Sequence, residues 1–281
     1  MASNDLSLPD PYSENGVLRN LVGATTPQAL RIAEGSLSLL RLSSLVESWP
    51  SPTGDLDEWK AIHQTLFQDV YDWAGTLRTM GIAKQVPNAN KFADHRLIER
   101  NAWNQANSLR EEGNLKGLGK HEFVRKLADQ YDAFNYLHPF RDGNGRVQRL
   151  FWDRIAREAG WSVDWTLVGG ETVGRLSREA GNSGDLSHLV EMFSAITSKA
   201  PAPMAPAERA AWLRRVAFGT HDDASPAARA LVKPTYILTS GSMCGFPMPR
   251  ARTGCVLLVD HGGHHRSKVP TKLSETTTRA L

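Results

Sequence analysis

Two amphipathic segments of helical period flank one short polar link, and this arrangement restricts the fold of the chain more than any other feature. Residues 120–136 carry Phe123, Leu127, Tyr131 and Phe134 on one face. Residues 145–159 repeat the pattern with Val147, Leu150, Phe151 and Ile155, and Gly160 supplies a C-terminal stop. Between them runs HPFRDGNGR, His138 to Arg146, in which a histidine, a carboxylate, two arginines, an asparagine and two glycines are crowded into nine residues.

The same period recurs upstream. Residues 27–48 read as a helix with Thr26 as N-cap and Pro27 at the first helical position, and Leu30, Ala33, Leu37, Leu40 and Leu45 form its apolar face. Residues 55–72 read as a second, capped by Asp55, with Trp59, Ile62, Leu66, Phe67 and Val70 inward. Further helices are expected over 94–111, 171–180 and 185–198. The period fails from Leu77 to Phe92, where Gly81 and Pro87 interrupt short apolar pieces, and this stretch reads as a hairpin-like flap. The expected fold class is therefore all-α: a helical bundle with a β-hairpin flap, followed by a C-terminal extension.

The chain divides near residue 199, where KAPAPMAPAERA reads as a Pro/Ala linker. Residues 1–198 form the expected domain and residues 199–281 the extension. A short helix is expected around Pro206 to Ala217, one strand in CVLLVDHGGHHRSKV, and disorder in the final TKLSETTTRAL. The extension holds 12 Lys/Arg against 5 Asp/Glu, whereas residues 1–198 hold 21 against 25, so the net charge of +3 conceals a basic tail on an acidic body. No apolar run reaches the roughly 18 residues of a membrane span. The polar, acid-bearing N-terminus is not expected to be a secretory signal or transit peptide. Two cysteines, Cys244 and Cys255, suit a reducing compartment, and the cytoplasm is the expected location.

The link carries the chemistry. Asparagine and two glycines at a helix entrance expose backbone N–H groups, which with the helix dipole make an anion site. A carboxylate beside such a nest, Asp142, would repel phosphate unless Mg²⁺ lay between them. Arg146 and Arg149 sit one turn apart, off the apolar stripe, with planar donors suited to a triphosphate. His138 can accept a proton near neutral pH. Each residue also has an ordinary structural explanation. His138 follows Phe134 by four residues and fits a core position, Gly143 and Gly145 fit a turn, and Arg149 fits an ion pair with Asp153. Those explanations account for the residues singly and not for their coincidence.

HPFRDGNGRVQR resembles the Fic motif, H-x-F-x-(D/E)-G-N-G-R-x-x-R, at every defined position. GVLRNLVG, LFQDVYDWAGTLRTMGIAK and LIERNAWNQ resemble the upstream parts of Fic domains in the expected order, so that the likeness spans about residues 12–198. The resemblance implies a protein adenylyltransferase that transfers AMP from Mg·ATP to a Ser, Thr or Tyr hydroxyl of a target protein. It implies that His138 is the base and Asp142 the Mg²⁺ ligand. Gly143, Asn144 and Gly145 would form the anion hole, and Arg146 and Arg149 would bind the outer phosphates, Arg149 the γ-phosphate. Phe140 would be a core anchor. The flap, Leu77 to Phe92, would hold the target segment by strand-like pairing. Gly145 stands where a phosphorylating relative has lysine, which favours AMP transfer over phosphorylation. UMP or phosphocholine transfer remains the alternative.

Many Fic domains are silenced by a helix bearing (S/T)-x-x-x-E-(G/N), whose glutamate pairs with the second motif arginine. This chain is expected to lack that helix. Asp10 to Asn15, Leu30 to Gly35 and Thr271 to Thr276 each miss one position. The resemblance therefore implies a toxin held by a separate small antitoxin, a branch whose targets include the ATPase subunits of DNA gyrase and topoisomerase IV. Nucleic-acid binding by the basic tail is the competing class, but its charges are scattered and no DNA-binding motif appears. A metal site from His261, His264, His265 and Cys255 lacks standard ligand spacing.

Overall fold

The computed structural model describes residues 10–82 and 92–218. A short antiparallel ladder of β1 (Ser13–Glu14) and β2 (Val17–Leu18) precedes α1 (Pro27–Glu47) and α2 (Leu56–Phe67), which pack on each other. Both helices begin at the expected caps. Thr26 Oγ1 accepts from the Ala29 N–H at 3.2 Å, and Asp55 accepts from the N–H groups of Asp57 and Glu58. α2 stops at Phe67, not near residue 72. The chain continues as turns, yet Val70, Tyr71, Trp73 and Ala74 are buried in them, so helical-looking hydrophobic spacing outlasts the helix.

Next come α3 (Ile98–Glu111), α4 (Lys120–Leu137) and α5 (Asn144–Glu158). The chain then forms β3 (Trp161–Val163), α6 (Gly170–Ser183), α7 (Ser187–Ile196), β4 (Thr197–Lys199) and α8 (Pro206–Phe218). β3 pairs antiparallel with β4, Trp161 opposite Lys199. Residues 197 and 198 thus lie in a strand and not at the end of a helix. A three-residue strand is too short for its alternation to show in the sequence.

α5 is the central helix. α2, α8 and β3 all pack on it, and Val147, Leu150, Phe151, Trp152, Ile155 and Ala156 are buried. The sequence shows one apolar stripe, but the other faces are covered too, because Gln148, Asp153 and Arg154 are polar residues buried with partners. Trp59 of α2, Phe134 of α4 and Phe151 of α5 meet with ring centroids 5.1–5.6 Å apart, and Trp152 joins them. On α1 the stripe also differs from expectation. Leu40 is 41% exposed, whereas Leu39, Leu42, Glu34 and Ser38 face inward.

α8 extends the same core. Trp212, Leu213 and Val216 join the cluster that includes α5, and the helix lies against α5 and α1. The middle of the flap, the strand expected after Cys255 and the final segment lie outside the described residues. The flap's described ends lie side by side, the Phe92 N–H donating to Ile82 O at 3.4 Å. Among the described residues no helix is long and apolar enough to cross a membrane.

Glu58 and Arg154 form a bidentate pair inside the bundle, at 2.5 and 2.6 Å, and the Glu58 carboxylate also accepts from Trp49 Nε1 and the Gly54 N–H. Removing one partner leaves a buried charge uncompensated. Glu58→Ala is expected to lower the unfolding free energy by about 3–5 kcal/mol. Denaturant titration reads this, and a loss below about 1 kcal/mol would contradict a buried, structurally committed pair.

Candidate active site

α4 ends at Leu137, and His138 takes the left-handed conformation at φ 41°, ψ 61°. Such a φ is uncommon for a residue with a Cβ and requires support. Arg78 supplies it. Its guanidinium, buried at the base of the flap, donates to His138 O at 2.8 Å, Leu137 O at 3.2 Å, Met80 O at 2.7 Å and Ala93 O at 2.5 Å. The Arg78 N–H donates to Pro139 O at 2.9 Å. One side chain thus satisfies terminal carbonyls of α4 and ties them to both ends of the flap. The Phe92 ring stacks on the His138 imidazole at 3.7 Å, with 10° between the planes.

The rest of the link is held from within. Phe140 is buried and stacks on His63 at 4.0 Å. The Asn144 side chain turns inward and staples the loop, Oδ1 accepting from Phe140 N–H at 2.9 Å and Nδ2 donating to Phe140 O at 2.8 Å. Its contribution to the pocket is therefore its backbone. Gly143 has φ +79°, and a Cβ there would lie 2.5 Å from the Phe67 ring. Position 143 is thus closed to side chains both by conformation and by space. The Gly143 N–H is taken by Asp142 Oδ1 at 2.6 Å. As first-turn amides of α5, those of Asn144 and Gly145 have no intrahelical acceptor.

Buried charge surrounds this nest. The Glu34 carboxylate accepts from Arg146 Nη2 and from the Tyr71 hydroxyl, while Arg146 Nη1 donates to Ser38 Oγ at 3.3 Å. Arg146 therefore leaves the apolar stripe as the sequence implies, but enters a buried pair and not solvent. Its guanidinium also lies 4.6 Å over the Phe67 ring. Burial first, then the Glu34 carboxylate, push the Asp142 carboxyl above its ordinary range.

His63 joins the link to the base of the flap. Its Nδ1 accepts from the Gly75 N–H at 2.8 Å, so Nε2 carries the proton and donates to Asp142 O at 3.1 Å. Burial pushes its pKa down to about 3, and the Arg146 charge acts in the same direction.

His138, Asp142, Gly143, Asn144, Gly145, Arg146 and Arg149 all line one pocket of about 310 Å³. The opposite wall comes from Tyr131, Gln148 and the α6 residues Gly170, Val173, Gly174 and Ser177. Arg149 Nη2 donates to Ala217 O of α8 at 2.6 Å, while Asp153, an alternative partner by spacing, accepts from Arg157, Arg209 and Trp212. Sequence reasoning missed Arg78, His63, Glu34 and the α6 wall. Glu34 carried a signal, a carboxylate four residues after Leu30 on an apolar face. The α6 wall carried none, since it is glycine and small residues brought in by the fold.

A Mg²⁺ ion fits these residues. Among the described residues no cluster of three or more His, Cys, Asp or Glu forms a closed metal cage. One carboxylate that lines the cleft beside an anion nest is the donor set of a cation shared with phosphate, and Asp142 is that carboxylate.

Helices that aim a histidine, a carboxylate, two arginines and a helix N-terminus into one cleft define a phosphate-handling site. The model of the Fic/DOC family matches residues 53–156. The "Probable protein adenylyltransferase Fic" of Salmonella typhimurium is 37% identical over 193 residues, 68% of this chain and 94% of that protein. Protein adenylyltransferase VbhT of Bartonella schoenbuchensis is 39% identical over 185 residues, 64% of this chain, but the matched part is only 38% of VbhT. Among solved structures, BepC of Bartonella tribocorum with bound AMPPNP superposes with a TM-score of 0.62 at 25% identity, covering 68% of this chain and 97% of that one. The chain belongs to the Fic/DOC family.

The neutral state of His63 sets a pH dependence. Its pKa is about 3 in the fold against an ordinary 6.5, so between those values the unfolded chain binds more protons. Stability contributed by His63 is therefore intact above pH 6.5 and lost as pH falls below it, by up to about 1.4 kcal/mol per pH unit. Lowering the pH from 7 to 4.5 is expected to reduce the wild-type unfolding free energy more than that of His63→Gln, by roughly 2–3 kcal/mol. Equal pH slopes in the two proteins would refute a neutral, buried His63.

Proposed function

We propose that the chain is a protein adenylyltransferase that moves AMP from Mg·ATP onto a Ser, Thr or Tyr hydroxyl of a target protein. The observation that carries this reading is the convergence of His138, Asp142, the α5 N-terminus and Arg146 and Arg149 on one pocket. Relatives named protein adenylyltransferase at 35–39% identity support the enzyme class. Solved relatives containing AMPPNP and, from Bartonella quintana, ADP support an adenine nucleotide as the ligand.

In this mechanism the target hydroxyl oxygen attacks the α-phosphorus. Its proton passes to the His138 imidazole, and the bond to pyrophosphate breaks. The Asn144 and Gly145 amides at the head of α5 receive phosphate oxygens, and the helix dipole adds to their field. Arg146 and Arg149 hold the outer phosphates. Asp142 holds Mg²⁺, which when bound supplies positive charge to the phosphate oxygens. The α6 wall, with its glycines at 170 and 174, leaves room for the nucleoside. Arg78 and Phe92 fix the base relative to the flap, on which the target segment docks.

The inhibitor, in this reading, is a separate small antitoxin. Against expectation, Ser108 to Gly113 does satisfy the inhibitory pattern, but its Glu112 accepts from Lys126 Nζ at 2.7 Å and from Gln130 Nε2 at 3.3 Å; of the near matches, Glu14 lies in β1 and Glu34 is committed to Arg146 and Tyr71. The ATPase subunits of DNA gyrase and topoisomerase IV are the first targets to examine.

Incubation with α-labelled ATP, Mg²⁺ and bacterial lysate is expected to label a protein, and His138→Ala to reduce labelling by at least about 100-fold. Labelling that persists in the variant would sink the mechanism. Expression of the chain alone in bacteria is expected to arrest growth in a His138-dependent manner. Normal growth with no modified protein would refute a separate inhibitor.

A further inference from the structure

Behind the pocket wall, α1 presents Arg146 with two acceptors. Glu34 and Ser38 lie four residues apart on the same face of the helix, and both are buried. The Glu34 carboxylate accepts from Arg146 Nη2 through Oε1, and Ser38 Oγ accepts from Nη1 at 3.3 Å. Each acceptor is itself held. The Tyr71 hydroxyl donates to Glu34 Oε2, and the Ser38 hydroxyl donates to the Glu34 backbone carbonyl at 2.6 Å. The Phe67 ring, 4.6 Å from the guanidinium, is the same ring that closes position 143, so one aromatic side chain spaces Arg146 from the nest. Arg146 lines the pocket, whereas Glu34 and Ser38 are not among its lining residues.

We infer that Glu34 is a positioning residue, which with Ser38 fixes the direction of the Arg146 guanidinium toward the outer phosphates of ATP. The inference rests on the reading of Arg146 as a ligand of those phosphates. The carboxylate stands behind the guanidinium and not in the cavity, so it braces the fork without filling the place of a phosphate. A guanidinium carries five donors in a rigid plane, and one hydrogen bond at each Nη fixes that plane and aims the rest. Glu34 also offsets the positive charge of Arg146, so the arginine contributes alignment to the nucleotide more than attraction. Loss of the carboxylate adds net positive charge beside the pocket, so binding of an anionic nucleotide is retained. Loss of alignment slows the transfer step, because a misplaced α-phosphate no longer meets the attacking oxygen in line.

The test separates binding from transfer. Glu34→Ala, Glu34→Gln and Tyr71→Phe are made in the full chain, and thermal melting establishes which are folded. Label transfer from α-labelled ATP to protein in a bacterial lysate is timed at saturating Mg²⁺ and ATP, and AMPPNP binding with Mg²⁺ is measured by calorimetry. Glu34→Ala is expected to slow transfer at least about tenfold while AMPPNP affinity stays within about threefold. Glu34→Gln, which keeps an oxygen acceptor for Nη2, is expected to stay within about threefold of the wild-type rate. Tyr71→Phe loosens the carboxylate without unpairing Arg146, and a slowing of about threefold at unchanged affinity is expected. If Glu34→Ala does not fold, Tyr71→Phe carries the test, and an unchanged rate there overturns the inference. A general structural role would weaken binding and transfer together and would not be corrected by Gln. Either result overturns the inference, as does a wild-type rate in Glu34→Ala. Faster transfer in Glu34→Ala, or binding tightened beyond that threefold, also overturns it, because the carboxylate would then compete with phosphate for Arg146. If wild type transfers no label, the adenylyltransferase reading itself fails, a result distinct from every variant pattern above.

Discussion

The site depends on carbonyl oxygens that have nowhere else to go. A helix that ends in a buried position leaves its last carbonyls without N–H partners, and at the end of α4 the chain must also turn into a left-handed residue. Arg78 meets both demands, with bonds to Leu137, His138, Met80 and Ala93 carbonyls. Because two of these belong to the flap's ends and two to the α4 terminus, one guanidinium sets the distance between the flap base and the imidazole. Removing that side chain would leave several buried acceptors unmet at once, a cost well beyond one hydrogen bond.

A second layer concerns charge. Glu34 and Arg146 pair inside the bundle, and the Asp142 carboxylate faces them from the wall of the pocket. Desolvation first and the Glu34 carboxylate second raise Asp142, so a cation beside it is favoured. Neutral partners keep the arrangement from becoming more charged. His63 is held unprotonated at Nδ1 by the Gly75 amide, and Tyr71 is kept protonated by burial and by Glu34. The residues aimed at the ligand thus rest on others whose charge states do not change in the neutral range.

Much of this was legible in the sequence, for reasons that differ by element. α4 and α5 announce themselves through one-sided apolar spacing, and the Thr26 and Asp55 caps through local hydrogen bonding. The pocket residues from His138 to Arg149 lie within one short segment, so their proximity needed little folding to be inferred. Glu34, His63 and Arg78 come from distant parts of the chain, and only the packing of α1 on α2 and of α2 on α5 brings the first two in. α5 shows the same limit. Gln148, Asp153 and Arg154 disguised a helix buried on every side, because pattern reading counts apolar side chains and cannot see that a polar one has a partner.

Arg78 grips residues on either side of the flap, so the stretch between Ile82 and Phe92 is bracketed by fixed points. The imidazole and its ring partner Phe92 stack on each other beside these points, and Arg78 holds the His138 carbonyl. In the proposed reading, a target-binding stretch between these points could vary while their spacing to the base is kept. Under that reading one buried arginine would separate recognition from chemistry, the condition under which one catalytic scaffold can acquire many clients.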